Sequence, residues 1–284
     1  MRVLVFGASG IVGRAMVSEA ARRGWPVTGL ARAAADIGDR DEVRAALAAH
    51  GPELVVNCAA FTRVDDCESE PEEARRVNDL AVGILAEESE RAGARLAHLS
   101  TDYVFDGAAR EPYEEAAPPA PLSAYGRTKR AGERRALASP AALVVRTSAV
   151  FGVGGASFVD AIAGRLRRGE SALRMVDDQI TAPTYAPFLA RALADLGESR
   201  ATGIWHYRNR EPVSWYELAL AVARELEKTP RIDAIPTSEL PRPARRPAWS
   251  VLAVDKFETA FGRRVETWAS GLATHLAATA EEQR

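Results

Sequence analysis

VLVFGASGIVG, residues 3–13, joins four consecutive apolar positions to a run in which glycine recurs at 7, 10 and 13. Val3–Phe6 is short and bounded by turn residues, so it reads as a strand apolar on both faces, the pattern of a parallel sheet covered by helices. Gly7 permits a tight turn, and Gly10 and Gly13 let the backbone approach a pyrophosphate at the N-terminus of the helix that follows, whose dipole favours the anion. The spacing is Gly-x-x-Gly-x-x-Gly, not the Gly-x-Gly-x-x-Gly of simple dehydrogenases. Glycine-rich turns also arise for steric reasons alone; it is the strand–turn–helix context at the start of the chain that points to a dinucleotide.

The same alternation continues outward from this turn. Val27–Leu30, Leu54–Asn57, Leu96–Leu99 and Leu143–Thr147 read as further strands, and amphipathic stretches near Ile11–Arg23, Asp41–Ala49, Glu72–Arg91 and Ala124–Leu137 read as the helices between them. The fold class expected is α/β: a doubly wound parallel Rossmann-type sheet over residues 1–150. Beyond about 150 the alternation fades, and Pro183, Pro236, Pro241, Pro243 and Pro247 punctuate loops between helical patterns near Phe158–Arg168, Pro187–Leu196, Trp215–Glu227 and Val265–Thr279. Residues 151–284 are therefore expected to form a smaller C-terminal lobe that binds substrate, with some segments packing back on the first. The polar end, Ala277 to Arg284, is expected to fray.

At 284 residues the chain can bury a full core without staples, and its 27% charged and 47% hydrophobic content is that of an ordinary globular protein. No apolar run approaches the roughly 20 residues of a membrane helix, and no cationic leader precedes Val3, so a cytoplasmic location with no membrane partner is expected. A net charge of −2 gives no polybasic surface for nucleic acid. Cys58 and Cys67 fit neither a disulfide framework nor zinc spacing. Only three lysines occur, Lys129, Lys228 and Lys256, against a strong arginine bias. A lysine retained in that setting draws notice, because a compact ammonium does what a guanidinium cannot.

In doubly wound sheets chemistry sits beyond the carboxyl ends of the strands. After the second strand the chain reads Gly29-Leu-Ala-Arg32, and an arginine with no carboxylate close by suits the 2′-phosphate of NADPH, with NADH the alternative donor. Asp36 and Ile37 fall where an adenine pocket would lie. The fourth strand delivers Ser100-Thr101-Asp102-Tyr103, in which Thr101 is the candidate hydrogen-bond donor to a substrate oxygen. Tyr125-Gly-Arg-Thr-Lys129 puts a phenol and an ammonium on one helical face. An adjacent cation favours the ionised phenol and would make tyrosine a usable acid near neutrality.

With these pieces together the sequence resembles the dTDP-4-dehydrorhamnose reductase family of the extended short-chain dehydrogenase/reductase superfamily. The resemblance spans nearly the whole chain and is carried by GASGIVG (7–13), STDYVFDG (100–107), PLSAYGRTKRAGE (121–133), RTSAVFG (146–152), DDQITAPTY (177–185) and PTSELPRPARRPAWSVL (236–252). It implies a catalytic trio of Thr101, Tyr125 and Lys129. It also implies a cofactor site comprising Gly7, Gly10, Ile11, Val12, Gly13, Arg32, Asp36, Ile37, Ala60, Phe61 and Thr62, together with Tyr125 and Lys129. Thr101, Asp102, Tyr103, Gln179, Arg245 and Arg246 would face the nucleotide-sugar. The implied reaction is NADPH-dependent reduction of the 4-keto group of a dTDP-4-keto-6-deoxy sugar in deoxysugar or dTDP-L-rhamnose biosynthesis, by a monomer or homodimer.

Two positions depart from the family pattern. Ala149 stands where the family places an aromatic residue beside the sugar, and Ala15 stands where some members use an acid in a magnesium-linked dimer, so no metal is expected. Two rival readings remain open. A dehydratase would carry glutamate directly after Thr-Asp, where this chain has Tyr103. A non-catalytic NADP-binding regulatory subunit is the other, since the methionine adenosyltransferase beta subunit resembles the same reductases.

Overall fold

The computed structural model describes residues 1–281, with side chains described to residue 279. Six parallel strands form the central sheet, in the spatial order Gly203–His206, Leu143–Thr147, Arg95–Thr101, Leu54–Asn57, Val3–Phe6, Val27–Leu30. The chain starts in the interior of the sheet, steps outward to Val27–Leu30, then crosses to the other side of its first strand. That reversal opens a crevice at the carboxyl ends of Val3–Phe6 and Leu54–Asn57.

Strand residues divide by parity between two cores. Leu4, Phe6, Val55, Leu96 and Val144 pack beneath the helices Arg40–His50, Ala81–Arg91 and Ala124–Ala136. Val3, Val5, Leu54, Val56, Ala97, Leu99 and Val145 pack on the opposite face against Met16 and Ala20 of the helix Ile11–Arg22 and Leu189 and Leu193 of the helix Ala186–Glu198. This is the two-residue period of a sheet covered on both sides.

The helical pattern over 72–91 is not one helix. Pro71–Arg75 and Ala81–Arg91 are joined by a π-helical turn at Arg76–Leu80, which carries the buried Asn78. The sixth strand, Gly203–His206, is absent from the sequence reading because its edge position leaves it half exposed and removes the apolar run that marks the others. The strand and the helix Ala186–Glu198 both come from the second half of the chain and complete the first-half sheet.

A third core, containing Phe151, Ile162, Leu173, Leu218, Val222 and Leu272, holds the remaining elements together. It lies among the helices Phe158–Arg167, Trp215–Glu225 and Trp268–Glu281 and the parallel strand pair Ala172–Val176 and Arg231–Ile235. The last helix runs through most of the polar end expected to fray; residues 282–284 lie outside the described residues. No described helix is long and apolar enough to cross a membrane.

Candidate active site

The turn after the first strand uses each of its glycines differently. Gly7 has φ +75°, and a Cβ there would stand 2.5 Å from the Ala59 nitrogen. A Cβ at Gly13 would stand 2.2 Å from the Gly7 carbonyl oxygen, so this glycine lets the helix start against the turn. At Gly10 nothing comes nearer than 3.5 Å, which leaves free space at the helix N-terminus, where a pyrophosphate would lie.

Two cavities share this turn. One, of about 220 Å³, is lined by Gly7, Arg32, Asp36, Ile37 and Phe61 among others. The second, of about 460 Å³, runs from Gly10, Ile11 and Val12 past Ala60 and Thr62 to Thr101, Tyr125 and Lys129. A glycine cradle that a Cβ would fill, continuous with an apolar slot on one side and polar groups on the other, fits a dinucleotide.

Arg32 requires a correction. The sequence reading took it to have no carboxylate close by, yet Asp36 lies 3.5 Å away and Glu73 3.3 Å away. The turn at 31–39 brings Asp36 back toward the strand end, and the helical segment 71–75 supplies Glu73. Asp36 is itself engaged: it accepts from the Gly38 amide and from Arg76, which hold its carboxyl below the ordinary value despite burial.

Tyr125 and Lys129 lie at the start of the helix Ala124–Ala136, capped by Ser123, whose hydroxyl accepts from the Gly126 amide. Both line the larger cavity, and the hydrogen bond of the ammonium runs to the sheet and not to the phenol. Lys129 Nζ donates to the Leu99 carbonyl at 2.6 Å. Burial pushes Tyr125 above its usual value, and the closest group opposing that is the Thr101 hydroxyl, not Lys129. The reason is geometric: the buried ammonium takes the nearest strong acceptor, a strand carbonyl.

Burial lowers Lys129 to about 8, against the pull of Glu133 one turn on. His98 stands 3.5 Å from the ammonium and is kept neutral by burial and by Lys129. Asn57 Oδ1 accepts from the Ala59 amide, so its Nδ2 faces His98 Nδ1 at 3.0 Å.

Thr101, Tyr125 and Ala149 are common to the larger cavity and to a hollow of about 170 Å³ that Asp102, Tyr103 and Trp215 also line. Ala149 takes the left-handed region, φ +41°. Tyr103 and Trp215 in turn border a cleft of about 720 Å³ on the second lobe. Gln179 lies in that cleft with Nε2 donating to Thr237 Oγ1 at 2.9 Å, and Arg246 lies there too. Arg246 is pinned through both terminal nitrogens to Asp65, at 2.5 and 2.9 Å, and holds that carboxyl below its ordinary value. Arg245 is a second correction, for it is exposed and does not line the cleft.

The cleft's other cations, Arg165, Arg174 and Arg242, were not found from sequence. Neither were Cys58 and Ser148 of the larger cavity, or Asn78, which accepts from the Phe61 amide at 2.8 Å and donates to the Phe61 carbonyl at 3.0 Å. Cys58 is a thiol pushed up to about 12 by burial and is inert. Among the described residues no group of three or more His, Cys, Asp or Glu is arranged to hold a metal.

A doubly wound parallel sheet with a glycine turn at its switch point, and a tyrosine and lysine one turn apart facing the same crevice, defines a Rossmann-type protein of the short-chain dehydrogenase/reductase class. The profile described as RmlD substrate binding domain matches residues 1–281, and the chain belongs to that family. A Streptomyces griseus protein named dTDP-4-dehydrorhamnose reductase is 41% identical over 279 residues, 95% of this chain and 91% of its own length. A Streptomyces antibioticus protein named probable dTDP-4,6-dihydroxy-2-methyloxan-3-one 4-ketoreductase is 42% identical over 278 residues, 96% of this chain and 93% of its own. The crystal structure of dTDP-4-dehydrorhamnose reductase from Bacillus anthracis, in complex with NADP, superposes with a TM-score of 0.93 at 29% identity, covering 98% of this chain and 99% of that one.

Proposed function

We propose that the protein is an NADPH-dependent reductase of the keto group at position four of a dTDP-6-deoxy sugar, acting in deoxysugar biosynthesis. The observation that carries the reading is the shared wall: Thr101, Tyr125 and Ala149 separate the cavity that fits the nicotinamide half of a dinucleotide from the hollow that opens toward the second-lobe cleft. A carbonyl in that hollow faces a phenol and a hydroxyl on one side and the dinucleotide on the other. Bound along the glycine turn, NADPH supplies the hydride.

The chain's own groups then do the rest. Gly10 to Gly13 hold the pyrophosphate, Ala60 to Thr62 border the cofactor, and Lys129 holds the nicotinamide ribose from its station on the Leu99 carbonyl. Arg32 serves the 2′-phosphate: its ion pairs are largely solvated and weak, so a dianionic phosphate can replace them. Thr101 hydrogen-bonds the ketone oxygen, and Tyr125 gives its proton to the oxygen as charge develops there. The raised phenol value fits this role, because the group stays protonated until an alkoxide forms beside it. Arg246, Gln179 and the cleft arginines receive the nucleotide diphosphate, whose paired oxygens match guanidinium forks.

The test is to mix the protein with NADPH and dTDP-4-keto-6-deoxy-L-lyxo-hexose and follow loss of reduced-nicotinamide absorbance, with NADH in parallel. Oxidation supports the reading; cofactor binding without oxidation would support the regulatory-subunit alternative. Tyr125→Phe is expected to cut turnover by at least about 100-fold, the usual effect of losing a general acid, while the variant still binds NADPH in a fluorescence titration. Near-normal turnover would remove Tyr125 from the role.

A further inference from the structure

Asp102 is a buried carboxyl for which the reaction outlined above has no use. It opens the short turn Asp102–Val104 directly after Thr101, is 2% exposed and borders the small hollow beside Thr101 and Tyr125. The Thr101 hydroxyl donates to its Oδ1 at 3.0 Å. Its Oδ2 is buried with no hydrogen-bond partner. The Ser250 hydroxyl stands near enough to favour the ionised carboxyl, and its contact to the Ile180 carbonyl is a long 3.5 Å.

The groups facing Asp102 are Tyr125 from the helix, Tyr103 from its own turn, and Ser250 from the loop near the C-terminal lobe. The Arg246–Asp65 pair lies beyond Tyr103. Among the described residues no Lys or Arg forms an ion pair with Asp102. A carboxylate buried without a cation is costly, and its neutral form is favoured. Burial pushes Asp102 up to about 7 against the Ser250 and Thr101 hydroxyls. Such a group holds a proton at neutral pH and can release it, and its one hydrogen bond leads to the hydroxyl that favours ionisation of the Tyr125 phenol.

We propose that Asp102 is the proton store behind Tyr125, linked to it through Thr101 Oγ1. The proposal rests on the reading in which Tyr125 protonates the sugar oxygen. The balance is simple. The ketone carbon takes a hydride from the reduced dinucleotide, and the C=O π bond becomes an O–H bond with the proton of Tyr125 Oη. Once the alcohol has formed, the Thr101 hydroxyl turns from the sugar oxygen to the phenolate and gives up its proton, Thr101 takes the Asp102 carboxyl proton, and solvent returns one proton to the Asp102 carboxylate. Asp102 touches no reacting atom, so it is a positioning and relay residue, not a catalytic one.

Asp102→Asn keeps the shape and removes the transferable proton. With both substrates saturating, kcat of the parent is expected to fall as pH rises through neutrality, when the store empties. In the variant kcat drops about 10-fold or more and that limb disappears, by analogy with loss of a proton-transfer group, while KM for the sugar and fluorescence-measured NADPH affinity stay close to those of the parent. Ser250→Ala, which removes a hydroxyl that favours the carboxylate, should move the limb to higher pH, and it serves if Asp102→Asn does not fold.

Difference infrared spectroscopy of the parent and Ser250→Ala proteins, titrated across neutrality without sugar, reads the protonated carboxyl directly. Its band should be lost near neutrality in the parent and at higher pH in the variant. Parent-like kcat with an unchanged limb in either variant, or a carboxyl ionised throughout the infrared titration, overturns the proposal. A parent that binds NADPH but never oxidises it overturns the functional reading instead, and the infrared titration still decides whether Asp102 stores a proton.

Discussion

The Leu99 carbonyl is the hydrogen-bond acceptor that Lys129 holds on leaving water, and burial lowers the ammonium to about 8. Because this folded-state value lies below the 10.5 of an exposed lysine, the folded chain binds fewer protons between the two. The residue's contribution to stability therefore rises with pH across that window. Lys129→Met removes the buried charge at similar volume. It is expected to melt higher than the parent near pH 7 and to lose that advantage by about pH 10, as thermal melts at several pH values would show. The sequence places Lys129 correctly on the face of Tyr125, since a four-residue interval fixes that. It carries no sign that the ammonium turns to a strand carbonyl, because the acceptor lies 30 residues away and is a backbone atom present at every position. Asp102 is hidden in the same way: its letter is legible, but its lack of a cation is a fact of packing.

Between elements, the helix Ala124–Ala136 is tied to the sheet by Glu133. This fully buried carboxylate accepts from Arg146 Nε at 2.7 Å and Nη2 at 2.8 Å, from Ser100 Oγ at 2.6 Å and from Arg130 at 2.8 Å. Ser100 and Arg146 sit on adjacent strands, so one side chain fixes the helix that carries Tyr125 against the strand that carries Thr101. Burial alone would push Glu133 up, but Arg146, with Ser100 and Arg130, outweighs it and holds the carboxyl below its ordinary value. Its stabilisation is thus present above the unfolded value of 4.5 and lost as pH falls through the lower folded value. Glu133→Gln leaves Arg146 buried beside a neutral partner and should cost about 3–5 kcal/mol in denaturant unfolding. Replacing both residues by Met should recover much of that loss. Runs such as Leu143–Thr147 announce strands because consecutive apolar positions need no partner to be recognised. The π turn at Arg76–Leu80 does not, since its cause is the Asn78 side chain gripping the Phe61 backbone from 17 residues away. The cleft arginines are equally silent: Arg165, Arg174 and Arg242 come from three separate segments and converge only once the second lobe has formed.

At the scale of the molecule, segments from beyond residue 150 complete the sheet of the first half. The strand Gly203–His206 pairs with Leu143–Thr147, and the helix Ala186–Glu198 covers Val3, Val5 and Leu54. A fragment of residues 1–150 would keep the helix Ile11–Arg22 but lose the other helix covering that face of the sheet, and would leave an apolar edge unpaired. It is expected to lack a cooperative unfolding transition and to bind a hydrophobic dye, whereas the full chain melts in one step; a cooperative melt of the fragment would show that the first half stands alone.

Asp65 lies three residues past Thr62, at the end of the loop that borders the 460 Å³ cavity, while its partner Arg246 lines the second-lobe cleft. The ion pair between them ties the border of one cavity to the wall of the other. Any shift of that loop is therefore passed directly to the guanidinium on the far side of the cleft.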